Sequence, residues 1–112
     1  MATSSKPSLR FFHSAALRTR SNKILAGIEQ DKDPTQHAGA LSDLVADLTE
    51  AGFDYYFLRP LQQAKMGFVA RQTASFGMAG ALRIMSPVIR TILAGANATQ
   101  LRVITRHIRH LM

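Results

Sequence analysis

Between Tyr55 and Met112 the chain carries eight basic residues, Arg59, Lys65, Arg71, Arg83, Arg90, Arg102, Arg106 and Arg109, and no Asp or Glu. All seven acids fall between Glu29 and Asp54, where only Lys32 opposes them, and residues 1–28 hold five cations and no acid. The net charge of +7 is therefore laid out as two cationic ends around an acidic middle. Any fold of this chain must bring the acidic block against its cationic partners or leave positive charge facing something anionic. Because 14 Lys and Arg face 7 acids, complete internal pairing still leaves half of the cations over.

The distribution of apolar residues selects helices. The sequence shows no sustained alternation of apolar and polar positions and no Asn-Gly or Asp-Gly hairpin turn, so no strands are predicted. At 112 residues a chain has material for one modest core. The expected architecture is all-α: a compact bundle of four to five short amphipathic helices, with residues 1–8 as a flexible N-terminus and 9–112 as a single helical domain. A first helix over about residues 9–30 turns Leu17, Ile24, Leu25 and Ile28 inward, with Ser21-Asn22 as a point where it could divide. Asp33 and Pro34 supply a cap and a first helical residue for a second helix, with Gln36 at the capping-box position. That helix turns Leu41, Leu44, Val45 and Leu48 to one side and Asp43, Asp47 and Glu50 to the other, and Gly52 is the predicted left-handed stop. Asp54 is placed to cap a further segment and Pro60 to kink it or begin the next. The stretch from Leu61 to Leu93 reads as helix with a kink or break near 75–80, where Gly77 and Gly80 weaken it, and another at Pro87. Asn97 with Gln100 forms a capping box for a last helix.

On a helical wheel Lys65, Arg71, Arg83 and Arg90 fall on one polar stripe. The opposite arc, with Gly67, Ala70, Ala74, Gly77, Ala81, Met85, Val88 and Ile92, is small at first and bulky later and reads as the packing face. In the last helix Arg102, Arg106 and Arg109 share one side, behind an apolar seam of Leu101, Ile104, Ile108 and Leu111. Like charges this close repel, so a counter-charge is expected; the acidic face of the second helix is the internal claimant. For the remainder the sequence predicts an anionic lipid surface or an acidic protein, bound through Arg71, Arg83, Arg90, Arg102, Arg106 and Arg109. Phe53, Tyr55, Tyr56 and Phe57 crowd beside Arg59 and read as core anchors, as interfacial aromatics in the case of Tyr55 and Tyr56, or as a platform on which unpaired bases stack with cation support.

Other chemistry is sparse. Zero Cys excludes disulfides and thiolate catalysis. His107 and His110 lie one turn apart with no acid nearby, so they read as surface histidines and no metal or cofactor is expected. No nucleophile, base and acid recur at a catalytic spacing, and the chain is read as a non-enzyme. No run of 18 uncharged apolar residues occurs, which argues against a transmembrane segment. The Ser- and Arg-rich, acid-free residues 1–28 have the composition of an organelle transit peptide; the competing expectation is a cytoplasmic protein at the inner face of the membrane. The functional expectation is a non-enzymatic accessory or interaction protein docking through basic amphipathic helices. Its alternative is a small basic nucleic-acid-binding helical protein, for which Val69–Arg83 has the outline of a helix-turn-helix with Gly77 at the turn, against a misplaced Thr73 and Arg83. A homo-oligomer that completes its helical bundle only on association is a third reading.

Overall fold

Residue 11 and residues 13–112 are described in a computed structural model. The N-terminal segment 1–8 and the predicted helix start at residue 9 lie outside them. Helix α1 runs Ala15–Gln30, opened by Ser14, whose side-chain oxygen accepts the Leu17 amide at 3.0 Å. Ser21 does not divide it: the side chain is buried and its hydroxyl donates to the Leu17 carbonyl at 2.8 Å, leaving the backbone ladder intact. Asp33 caps a tight 3-10 turn, Pro34–His37, by accepting the Thr35 amide, and the α-helical winding of α2 begins only at Ala38 and runs to Phe53. The turn carries His37 onto α1, where a Cβ added at Gly27 would lie 3.0 Å from the imidazole Cε1.

Gly52 is not a helix stop. No glycine has positive φ, and the chain winds on from α2 through a widened π turn, Asp54–Leu58, into the short α3, Arg59–Gln63. Pro60 lies in the first turn of α3, and a widened turn ahead of a proline accommodates its ring and missing N–H. The left-handed residue that ends this stretch is Lys65, at φ 56. Asp54 does not cap by its side chain; it accepts from the Arg59 Nε at 3.3 Å.

Helix α4 spans Phe68–Ala94 without interruption, so of the kink or break predicted near 75–80 and at Pro87 no break occurs at either place. Gly77 and Gly80 have nothing within 4 Å of an added Cβ. Their cost of about 1 kcal/mol each against Ala is a propensity loss that no close approach of a neighbour converts into a turn. Past Gly95, α5 covers Ala98–Leu111 and opens with the expected reciprocal box: the Gln100 amide reaches Asn97 Oδ1 at 2.8 Å and the Asn97 amide reaches Gln100 Oε1 at 2.9 Å.

These helices make an all-α fold, with no strand among the described residues. Leu25 and Ile28 of α1, Leu41 and Leu44 of α2 and Leu101 of α5 are fully buried, and Ala38 and Leu93 complete the core. Leu17, Ile24, Val45, Leu48, Ile104 and Ile108 pack around it. α1 lies against α5, and α2 against α4. Of the 27 residues of α4 only Leu93 is buried, so the core sits at one end of the longest helix.

Candidate functional site

Helix α4 meets the domain along one narrow line. Met78, Leu82, Ser86 and Ile89 are half-buried and Leu93 is buried, a recurrence at helical spacing that marks the face turned to α2. This line is centred within about 20° of Arg71 at 100° per residue, not opposite it. The arc predicted to pack is thus largely in solvent, with Met85, Val88 and Ile92 all exposed. Met78, Leu82, Ile89 and Leu93 are the bulky residues turned to α2, and the arc left largely in solvent has small residues, Ala70, Ala74, Gly77 and Ala81, over its first half, which offer little surface to bury.

The consequence is an exposed apolar face. Phe68, Val69, Phe76, Ile84 and Ile92 are each between 65% and 75% exposed. From Phe76 around to Met85 the helix presents an uncharged arc of about 180°, with Arg83 and Arg90 along one edge. α4 is long and apolar enough, by length and composition, to cross a membrane: its best 18-residue stretch has a mean hydropathy of 1.3 and is 6% buried. Counting only uncharged runs had excluded such a stretch; Arg83 and Arg90 interrupt the run without making the helix polar.

The six predicted binding arginines divide into three groups. Arg90 pairs with Asp43 of α2 at 2.5 Å. Arg109 pairs with Glu29 of α1 at 3.1 Å and donates to Asn22 Oδ1 at 2.6 Å, and Arg102 donates to the Asp31 carbonyl at 3.1 Å. These three tie the fold together, each surface pair contributing about 0–1 kcal/mol. Arg83 and Arg106 are exposed and make no ion pair or hydrogen bond with the described residues. Arg71 is half-buried, and its Nε is buried without a partner among the described residues. The acidic face of α2 thus claims Arg90 through Asp43 and Arg20 through Asp47, while α5 turns to Glu29 instead. The apolar seam of α5 is consumed by the core, with Leu101 buried and Ile104 and Ile108 packed beside it; only Leu111 at its end is strongly exposed.

None of Phe53, Tyr55, Tyr56 and Phe57 is buried. The Arg59 guanidinium lies 5.2 Å from the Tyr55 ring centroid, Tyr55 and Tyr56 meet edge to face at 5.2 Å, and Tyr56 and Phe57 reach the surface. Beside them a cleft of about 280 Å³ opens between the π turn and the first turns of α4, lined by Asp54, Gln62, Phe68, Arg71, Gln72 and Ser75. A larger groove, about 790 Å³, runs between α1, α2 and α4, with Leu17, Phe53, Met78 and Leu82 along it and Asp47, Glu50 and Asp54 at its rim.

Other sequence candidates find no partner element. Residues 69–83 form one continuous helix, so the helix-turn-helix outline is not realised. His107 and His110 are exposed, and no group of three or more His, Cys, Asp and Glu converges among the described residues. Asp31 accepts the Asp33 amide at 3.0 Å and the His37 Nε2 at 3.0 Å. The Asp33 amide and then His37 hold its pKa below the ordinary 3.8. It pins the 3-10 turn to the end of α1 and lies outside the α4 surface.

Comparisons with protein-family models, with curated proteins and with solved structures find no match for this chain.

Proposed function

We propose that the chain is a non-enzymatic accessory protein that docks on an anionic membrane surface, with α4 lying along the interface. One observation carries the reading: a 27-residue helix, apolar nearly all round, contributes a single buried residue to its own domain. Helices of that kind occur inside a core or in lipid, and the core of this domain is built mainly from α1, α2 and α5, with Leu93 the one buried residue from α4.

Magnitudes favour lying along the membrane over crossing it. Fully burying a large apolar side chain yields about 1.5–3 kcal/mol, so the exposed face of α4 stabilises an interfacial position by several kcal/mol. Crossing would draw Arg83 and Arg90 toward the bilayer centre at about 2.5–3.5 kcal/mol each. It would also carry Asp43 of α2, held to Arg90, into hydrocarbon. In the interface both arginines lie at the edge of the apolar arc and extend toward headgroups. Each unpaired cation near an anionic leaflet adds about 1 kcal/mol, a role open to Arg83 and Arg106. Exposed Tyr56 and Phe57 sit near the start of α4, the composition of a headgroup-level belt. The anionic cytoplasmic leaflet of a cell membrane is the matching surface.

Sedimentation with phosphatidylserine-containing vesicles, neutral vesicles and a random DNA duplex over a salt series tests this. The expected result is binding to anionic vesicles that retains a salt-resistant apolar component. Steeply salt-dependent duplex binding with no difference between the vesicle types would select the nucleic-acid alternative. A stable dimer in light scattering that Ile84→Asp dissolves would assign the apolar face to a second copy.

A further inference from the structure

The cleft between the π turn and α4 differs from the remainder of the surface in its polar side chains. Gln62, Arg71, Gln72 and Ser75 line it, and none makes a side-chain hydrogen bond to the described residues. The Arg71 Nε is buried with no partner among them. A buried donor left unpaired is destabilising and rare in folded proteins; the orphaned guanidinium N–H, beside unclaimed amide and hydroxyl groups that can also donate, suits an acceptor-rich group. The one carboxylate in the lining, Asp54, is already engaged by Arg59 at 3.3 Å, which leaves Arg71 as the uncompensated charge of the cleft.

Phe68 belongs to this lining and is itself 67% exposed, so a ligand here has one polar end in the cleft and an exposed apolar side chain directly beside it. Met66 and Val69, close to it in the chain, are exposed as well. Building on the membrane-docking reading, we infer that the Arg71 cleft receives the phosphomonoester headgroup of an anionic phospholipid, with the acyl chains against Phe68 and Val69. A terminal phosphate presents three oxygens and suits the forked guanidinium geometry of Arg. Two glutamine amides and a hydroxyl supply further donors. At about 280 Å³ the cleft has room for a phospholipid headgroup.

The test compares phosphatidylcholine vesicles doped with phosphatidic acid against others doped with phosphatidylserine to the same surface charge. It uses the full chain and Arg71→Gln, with circular dichroism to verify the fold. The wild type is expected to bind the phosphatidic acid vesicles about tenfold more tightly, the scale of one charge-assisted hydrogen bond network gained, and Arg71→Gln to lose that preference. As a readout independent of the variant, the Arg71 Nε–H resonance of the wild type shifts with phosphatidic acid and far less with inorganic phosphate at equal concentration. Equal binding to the two vesicle types, or a preference that survives Arg71→Gln, overturns the cleft assignment while leaving membrane docking standing. Saturation of the Arg71 resonance by inorganic phosphate at equal concentration removes the lipid source and overturns the inference as stated. Absence of binding to every vesicle overturns both readings.

Discussion

Asp31 shows how single side chains hold this fold in place. Its carboxylate accepts the Asp33 amide and the His37 ring, each at 3.0 Å, and its pKa lies below 3.8 in the folded chain, chiefly through the Asp33 amide and then through His37. A carboxyl whose pKa is lower folded than unfolded contributes stability that is fully present above the unfolded value and lost as pH falls through the folded one. The expected outcome is a decline in urea midpoint as pH drops below 3.8, with a shallower decline in Asp31→Asn. An unchanged slope would remove Asp31 from the acid response. At this scale the sequence was legible where the rule is local: Ser14 and the Asn97–Gln100 box follow from backbone amides within one turn. The orphaned Nε of Arg71 and the buried, unpartnered hydroxyl of Thr105 were not, because each depends on neighbours distant in the chain.

Among the helices, glycine has three different meanings. Gly77 and Gly80 face open space, whereas a Cβ at Gly27 would meet the His37 ring at 3.0 Å, a ring anchored by Asp31. Gly77→Ala and Gly80→Ala are each expected to raise stability by about 0.5–1 kcal/mol through helix propensity. Gly27→Ala should yield no such gain, or a loss, measured in the same urea titration. Equal gains at all three positions would show that His37 yields freely. Gly52 was misread as a stop because Gly-Phe after an apolar run is the usual helix ending; here the chain closes a π turn instead. The existence of α1, α2 and α5, and most of their inward residues, could be read from spacing. The orientation of α4 could not, since a helix apolar nearly all round carries little directional signal. A polar stripe chosen as its outer face proved to lie next to the line that packs.

For the molecule as a whole, charge and apolar surface have separate uses. The acid-free half spends Arg90, Arg102 and Arg109 on internal partners, leaving Arg83 and Arg106 outward. The sequence disclosed the excess of cations but not this division, which depends on how α1, α2 and α5 pack. Nor did it disclose that the strongest amphipathic helix, α5, is a core element and that the less patterned α4 carries the open surface. The central claim is that this face of α4 is covered by lipid. A polarity-sensitive fluorophore on Ile84→Cys of α4, with Thr99→Cys on the exposed side of α5 as reference, tests it most directly in a chain that has no native Cys. The account predicts a blue shift at position 84 on adding anionic vesicles, none with neutral vesicles at low lipid, and little change at position 99. A label at position 84 that is already shielded before lipid is added, or that stays in water with every vesicle, would contradict it.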